Sequence, residues 1–428
     1  MSILRTMDTG VTGLMAEGQA LGVVGDNIAN SSTVGFKAQR AIFEDMLGRS
    51  INGTGAGAGV RMSAVQQLFT QGALSNTGVS TDLSLSGDGF FVVGGTVDGV
   101  PGNYYTRAGQ FSIDRDGFLA NPQGMKLQGY KANGDGTFSP DVSAINIPTT
   151  ALAPKPSSKM DVAANLDASA AVPALPFDVT NPAATSNFST AMSVYDSLGK
   201  NHQLTVYFAK TASNTWDYHV VVDGGQLAGG TPGTNTEIGK GSLAFNTSGA
   251  LQTLTPTVPI AVNFLNAAPG QAIAVNLGSA LGAGGKGTDG VTQYAAPSSV
   301  SSQTADGYAS GDLAGVTVDS AGIVRGTYSN GQKVAMGQVA IAKFRANEGL
   351  GRAGQNLWTE TSASGQAALA AAGAGGRGVT TAGTLEQSNV DIAEQFVGMI
   401  THQRAFQANS KTITTADEML QELVNLKR

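Results

Sequence analysis

Residues able to do chemistry are sparse in this chain of 428 residues. Cysteine is absent, which excludes disulfides, thiolate metal sites and cysteine nucleophiles outright. The three histidines, His202, His219 and His402, are too few and too scattered for a metal cluster. His202 and His219 could sit close on paired strands, but two ligands without a cysteine or nearby carboxylate do not make a site. Gly349-Leu-Gly351-Arg-Ala-Gly354 has the spacing of the dinucleotide fingerprint, in which backbone amides approach a pyrophosphate. No amphipathic helix opens there and no acidic residue closes a βαβ unit, so the segment reads as a glycine-rich loop. Asp114-Arg-Asp116-Gly117 begins like a calcium loop, lacks the later ligands and the glutamate, and reads as a β-turn. There is no Walker A sequence, and no Gly-x-Ser-x-Gly elbow accompanies a histidine and an acid. No catalytic constellation is legible, and no cofactor or metal is expected.

The patterns that do stand out are those of packing. Near the C-terminus Ile392, Met399, Phe406, Ile413 and Leu420 recur every seven residues, which keeps one helix stripe facing a partner helix. At the other end Leu4, Met7, Val11, Leu14, Gly18, Leu21, Gly25 and Ile28 alternate spacings of three and four, the pattern of a coiled-coil seam. The first helix is expected over about residues 3–28, ending in the small polar cluster 29–33. Each interior glycine costs about 1 kcal/mol against alanine, and isolated helices are marginal in water. The free first helix is therefore expected to be mostly disordered and to order in a packed assembly, where the same glycines admit close backbones.

Between the two helical stretches the period changes to two. Asp82 to Ser86, Phe90 to Val93 and Tyr104 to Ile113 read as strands with turns at residues 87–89 and 114–117. Residues 151–184, rich in Pro, Ala, Ser and Asn, read as a linker or an irregular leading strand. Ala191 to Tyr195, Gln203 to Ala209, Trp216 to Val222, Ser242 to Phe245 and Thr257 to Phe264 follow as strands of a sandwich or barrel, with Gly282 to Gly290 a flexible loop. From Thr304 the first β region resumes, with Asn330-Gly331 as a hairpin signal between Val324–Tyr328 and Val334–Phe344. Gly53 to Gly59 reads as a mobile loop, and residues 362–378 as a low-complexity bridge.

The expected fold class is a multidomain α+β protein: terminal helices paired as a coiled coil, and two mostly antiparallel β domains, the second inserted in the first. The boundaries read as 1–32 with 384–428 for the helical layer and 33–80 with 355–383 for a connecting region. They continue as 81–150 with 304–354 for the first β domain and 151–303 for the inserted one. That nesting places both termini on one side. Length alone points to two or three domains at about 150 residues each. Charged residues are only 13% of the chain, about half the usual share of roughly 25%. A net charge of −6 offers no basic footprint, so nucleic acid is not an expected partner. No run reaches the length of a membrane span, and the N-terminus lacks a basic n-region with a continuous apolar stretch, so membrane insertion and a cleaved signal peptide are not expected.

Several stretches together resemble the flagellar rod and hook protein family. They are Asn27-Ile-Ala-Asn30 through Thr33-Val-Gly35-Phe36-Lys37, Gly87-Asp88-Gly89-Phe90-Phe91-Val92-Val93, Tyr105-Thr-Arg107 and Gly109-Gln-Phe111. Toward the C-terminus they are Gly383-Thr-Leu-Glu386-Gln-Ser388-Asn389-Val390-Asp391 and Gln403-Arg404-Ala405-Phe406-Gln-Ala-Asn409. Val194-Tyr-Asp-Ser-Leu-Gly199 with Val206-Tyr-Phe208, Asp306-Gly-Tyr-Ala-Ser-Gly311, Tyr328-Ser-Asn-Gly331 and the large inserted β region favour the hook branch over the distal rod. The resemblance implies a structural, non-enzymatic subunit that leaves the cell unfolded through the flagellar type III export apparatus and polymerises outside it. The product would be a curved, flexible tube joining rod to filament and transmitting torque. Expected partners are copies of the same chain, the distal rod protein, and the hook cap and hook-filament junction proteins. Within that reading Leu4, Met7, Val11, Leu14, Leu21, Ile28, Ile392, Met399, Phe406, Ile413 and Leu420 form the assembly interface.

Two rivals remain at this level. A secreted carbohydrate-active β enzyme would need a carboxylate pair in a cleft, and the β regions offer only turn aspartates. An adhesin or capping scaffold of the same machine would share the terminal motifs without forming long tubes.

Overall fold

The computed structural model describes residues 3–47, 57–134, 136–255 and 259–425. It divides into two compact units, one of Met1–Thr149, Ala314–Thr327 and Lys333–Arg428, the other of Thr150–Leu313 and Tyr328–Gln332.

The first unit holds both long helices, α1 (Ile3–Ala29) and α2 (Ile392–Asn425), which pack on one another. So α1 is helical within a single chain, and the expectation that it orders only in an assembly is corrected, its partner α2 supplying the packing that the isolated helix lacks. They run antiparallel, since Gly10 lies against Ile413 and Asn27 against Gln395. Asp391 caps α2, its Oδ1 accepting from the amides of Ala393 (2.8 Å) and Glu394 (3.2 Å), and so supplies the first turn with an acceptor for its unpaired donors. The expected helical stretch from residue 384 is therefore shorter. Thr384–Glu386 is a strand, antiparallel to Leu74–Asn76.

After α1 the chain forms an antiparallel hairpin of Gln39–Leu47 and Gly57–Gln67 alongside it. Of the glycine-rich stretch expected as a loop, residues 53–56 lie outside the described residues, while Gly57–Gly59 already belong to the second strand of that hairpin. The β part of the unit is built on a sheet of 12 strands among the described residues. Its path runs through Lys333–Lys343, Lys126–Ala132, Phe90–Val97 and Val100–Thr106. One face buries Phe90, Val92, Tyr105, Phe344 and Trp358 together, with Phe69 packed edge-on against Phe90 at 5.5 Å. The expected bridge at residues 362–378 contains a paired strand, Ala368–Ala371, and Val379–Ala382 pairs with Leu83–Ser86.

The second unit is a sandwich of two sheets around one apolar core. One is a meander of Phe188–Tyr195, Asn201–Ala212, Thr215–Asp223, Asn235–Phe245 and Leu251–Thr255. The other centres on Lys159–Asp167, antiparallel to Ser299–Ala305 and parallel to Gln271–Asn276 and Thr292–Tyr294. Of the two readings of residues 151–184, a linker or an irregular strand, this central strand takes the second, and it is regular over Lys159–Asp167. Met160, Val162, Ala164 and Leu166 alternate into the core, and burial on one face decides the conformation over the weak strand preference of Ala and Asn. The strand expected at 257–264 is Ile260–Val262, residues 257 and 258 lying outside the described residues. The loop at 282–290 starts inside a short 3-10 turn at Leu281–Ala283.

Candidate assembly interface and its junction

The face that α1 buries is Gly10, Gly13, Ala16, Ala20, Val24 and Asn27, all but Ala16 lying one residue before an expected seam position. The two glycines are seats rather than gaps. A Cβ at Gly10 would lie 2.9 Å from Ile413 Cγ1, and one at Gly13 only 2.7 Å from Asn409 Nδ2. The facing side of α2 alternates apolar and polar residues. Met399, Phe406, Ile413 and Leu420 are half-buried and Ala416 is fully buried, with Gln395 before them and His402 and Asn409 between. Asn27 Nδ2 donates to Gln395 Oε1 at 2.9 Å, and His402 Nδ1 sits 2.6 Å from Glu17 Oε2.

The larger apolar residues are left over. On α1 Leu4 and Met15 are 61% and 64% exposed and Val11 is also exposed, while Met7, Leu14, Leu21 and Ile28 are only half-buried. On α2 Ile392, Phe396, Val397 and Ile400 are exposed by 46–65%. Four of the five heptad positions therefore lie on the side turned to α1, and Ile392 does not. Among the described residues no helix is long and apolar enough to cross a membrane.

Beneath the helices the motif stretches converge. Asn27 binds both the amide and the carbonyl of Gln39, at 2.8 and 2.7 Å, and Asn389 accepts from the Ala38 amide at 2.7 Å. Gly35 has φ +71°, and a Cβ there would lie 2.5 Å from the Ala108 nitrogen, so only glycine lets these backbones meet. At the centre Glu386 Oε1 takes Lys37 Nζ at 2.6 Å and the Gly72 amide at 2.8 Å, while Oε2 takes Arg107 NH1 at 3.2 Å. All three side chains are at most 5% exposed. Burial pushes the Lys37 ammonium below the usual lysine range against the pull of Glu386, and burial likewise lowers Arg107. These three residues stood in the motifs without an assigned role. For Arg107 and Glu386 the signal available was a lone charge inside a long uncharged stretch, whereas Lys37 has Arg40 three residues on.

The remaining candidates resolve into structure. The register pairs His219 with Tyr207 and His202 with Val194, which keeps the two histidines apart. His202 is buried between Asp196 (2.9 Å) and Gln226 (3.1 Å) and stacks on Phe264, and His219 lies 2.8 Å from Glu237 and stacks on Phe177. Residues 349–354 form the end of a 3-10 turn and a strand of a tight hairpin with Leu357–Thr359. Asp114 Oδ1 accepts from the Asp116 and Phe118 amides, closing its turn. Among the described residues no group of three or more His, Asp or Glu could hold a metal.

Within the first unit, then, a partly polar helix seam is joined to the β part through a buried ionic node, and comparison with known proteins says to which family such a chain belongs. Residues 7–37 match the flagella basal body rod protein family and 381–426 the flagellar basal body rod FlgEFG protein C-terminal family. Residues 84–163 match the flagellar hook protein FlgE/F/G D1 domain and 165–308 the flagellar basal body protein FlaE D2 domain. The flagellar hook protein FlgE of Salmonella typhimurium is 37% identical over 421 residues, covering 97% of this chain and 98% of that one. That of Borreliella burgdorferi is 36% identical over 463 residues, covering 99% and 100%. The crystal structure of Helicobacter pylori flagellar hook protein FlgE2 shares the fold, with a TM-score of 0.53 at 15% identity over 73% of this chain and 100% of that one. The chain belongs to the flagellar hook protein family. It is a structural subunit of the bacterial flagellar hook, a polymeric assembly, and not an enzyme.

Proposed function

We propose that the chain polymerises outside the cell into a flexible tube that transmits torque from rod to filament, with the terminal helices as its assembly interface. The supporting observation is the apolar surface that the helix pair leaves uncovered: Leu4, Val11 and Met15 on α1 and Ile392, Phe396, Val397 and Ile400 on α2. In this reading Leu4, Val11 and Ile392 meet other copies directly. Met7, Leu14, Leu21, Ile28, Met399, Phe406, Ile413 and Leu420 hold the pair and border that surface. The distal rod protein, the hook cap and the hook-filament junction proteins would engage the ends of the tube, and the type III export apparatus would carry the unfolded chain. Electron microscopy of purified protein under polymerising conditions tests the reading. Tubes are expected, and monomers that never polymerise with both termini intact would overturn it.

A further inference from the structure

We infer that Glu386 is the register key of the helix pair: by holding Lys37, Arg107 and the Gly72 amide at once, it fixes where α2 begins relative to where α1 ends. The inference rests on the assembly reading above, because that register decides which apolar residues are presented to another copy.

Stability alone is a poor reason for the node. Two cations share one carboxylate, all three are buried, and Arg107 Nε finds no acceptor among the described residues. Buried ion pairs of this kind are commonly no better than apolar packing of the same volume, and their attested use is to select one arrangement. Here the arrangement is a strand register. Thr384, Leu385 and Glu386 lie opposite Asn76, Ser75 and Leu74. A slip of one residue would bring Leu385 or Gln387 to the node, turn Glu386 to the other face, and leave two buried cations without a carboxylate.

The register then propagates to both helices. Downstream, the Gln387 amide donates to Ala73 O at 2.8 Å, Asn389 holds the Ala38 amide, and Asp391 caps α2. Upstream, Lys37 is joined to the end of α1 through residues 30–36, whose Gly35 amide donates to Glu386 O at 2.8 Å. Displacing α2 by one residue moves it about 1.5 Å along its axis and turns its faces. Asn409 and Ile413 would then leave Gly13 and Gly10, where the missing side chains make room for them.

The cysteine-free chain makes the register directly trappable. A Gly13→Cys/Asn409→Cys pair should oxidise within single chains, since a Cβ at Gly13 would lie against the Asn409 carboxamide. Adding Lys37→Met, Arg107→Met and Glu386→Leu together should leave the melting of the β units unchanged or raised, reduce the crosslink several-fold, and abolish tubes. Native crosslinking and normal tubes in that variant would overturn the inference. If the triple variant does not fold, Lys37→Arg decides, because it keeps the charge while a guanidinium cannot reproduce the hold on Glu386 and on Thr70 O at 2.7 Å. A folded Lys37→Arg chain should crosslink less and polymerise poorly, and wild-type behaviour on both counts would overturn the inference. Failure of the wild-type chain to form tubes, while the Gly13→Cys/Asn409→Cys chain crosslinks, would instead sink the assembly reading, since the crosslink needs no second copy.

Discussion

The core of the second unit and the seam between α1 and α2 solve the same packing problem in opposite ways. In the sandwich Trp216, Phe208, Phe264, Val206 and Leu243 are at most 1% exposed, and even the polar handle of Trp216 finds Gln293 at 3.0 Å. In the helix pair the buried face of α1 is mostly glycine and alanine, polar residues alternate along α2, and the larger apolar side chains remain outside. One region is saturated by its own residues. The other is complete only along a narrow line, which leaves the apolar surface that the proposed assembly would cover.

The sharpest way to break that contrast is to empty the saturated region. Trp216→Ala should cost about 3–5 kcal/mol through the cavity and the unpaired Gln293 Oε1. Chemical denaturation read from the second unit measures it. A loss below about 1 kcal/mol would mean that this core does not carry its own unit.

A charge in the seam should have a smaller and local effect. Ile413→Asp places a carboxylate against Gly10 and should cost the helix pair about 1–3 kcal/mol while the β units stay folded. Amide exchange would then show lost protection confined to residues 4–28 and 392–425, and electron microscopy would show no tubes. Phe396→Asp probes the outer surface instead. Because Phe396 is 49% exposed, the change should move stability by no more than about 0.5 kcal/mol and still prevent assembly. Normal tubes from Phe396→Asp would remove the exposed stripe from the interface.

The difference between the regions also governs how much of each was readable from the chain. Alternation exposed the sandwich strands well, because a period of two is local information, as in Gln203 to Ala209, where Leu204, Val206 and Phe208 point inside. It left Lys159–Asp167 undecided between linker and irregular strand, because Ala and Asn masked a buried face that Met160, Val162 and Leu166 define. The extent of α1 was legible to within a residue, but its buried face was not. Scoring large apolar side chains as the seam turns Gly10 and Gly13 into gaps, although they are the contact points for Ile413 and Asn409. The node at Glu386 was out of reach for another reason. Its partners lie 349 and 279 residues away, and no periodicity links positions so distant.

The smallest effect tests whether the self-sufficiency of the sandwich extends to its charged rim. Burial pushes the Asp306 carboxyl up, but bonds from the Ser158 hydroxyl and the Lys159 and Ser158 amides, with Lys155 at 3.2 Å, outweigh it and lower it from 3.8 to about 2. A carboxylate depressed in the folded state contributes stability that is fully present above the unfolded value and is lost as pH falls through the folded one. The second unit should therefore lose stability between about pH 4 and pH 2, and Asp306→Asn should flatten that part of its profile while lowering the plateau above it. The side chain is 31% exposed, so solvent screening keeps the change modest. Melting curves across that window measure it, and an unchanged slope in Asp306→Asn would place the acid sensitivity of this unit on other carboxylates.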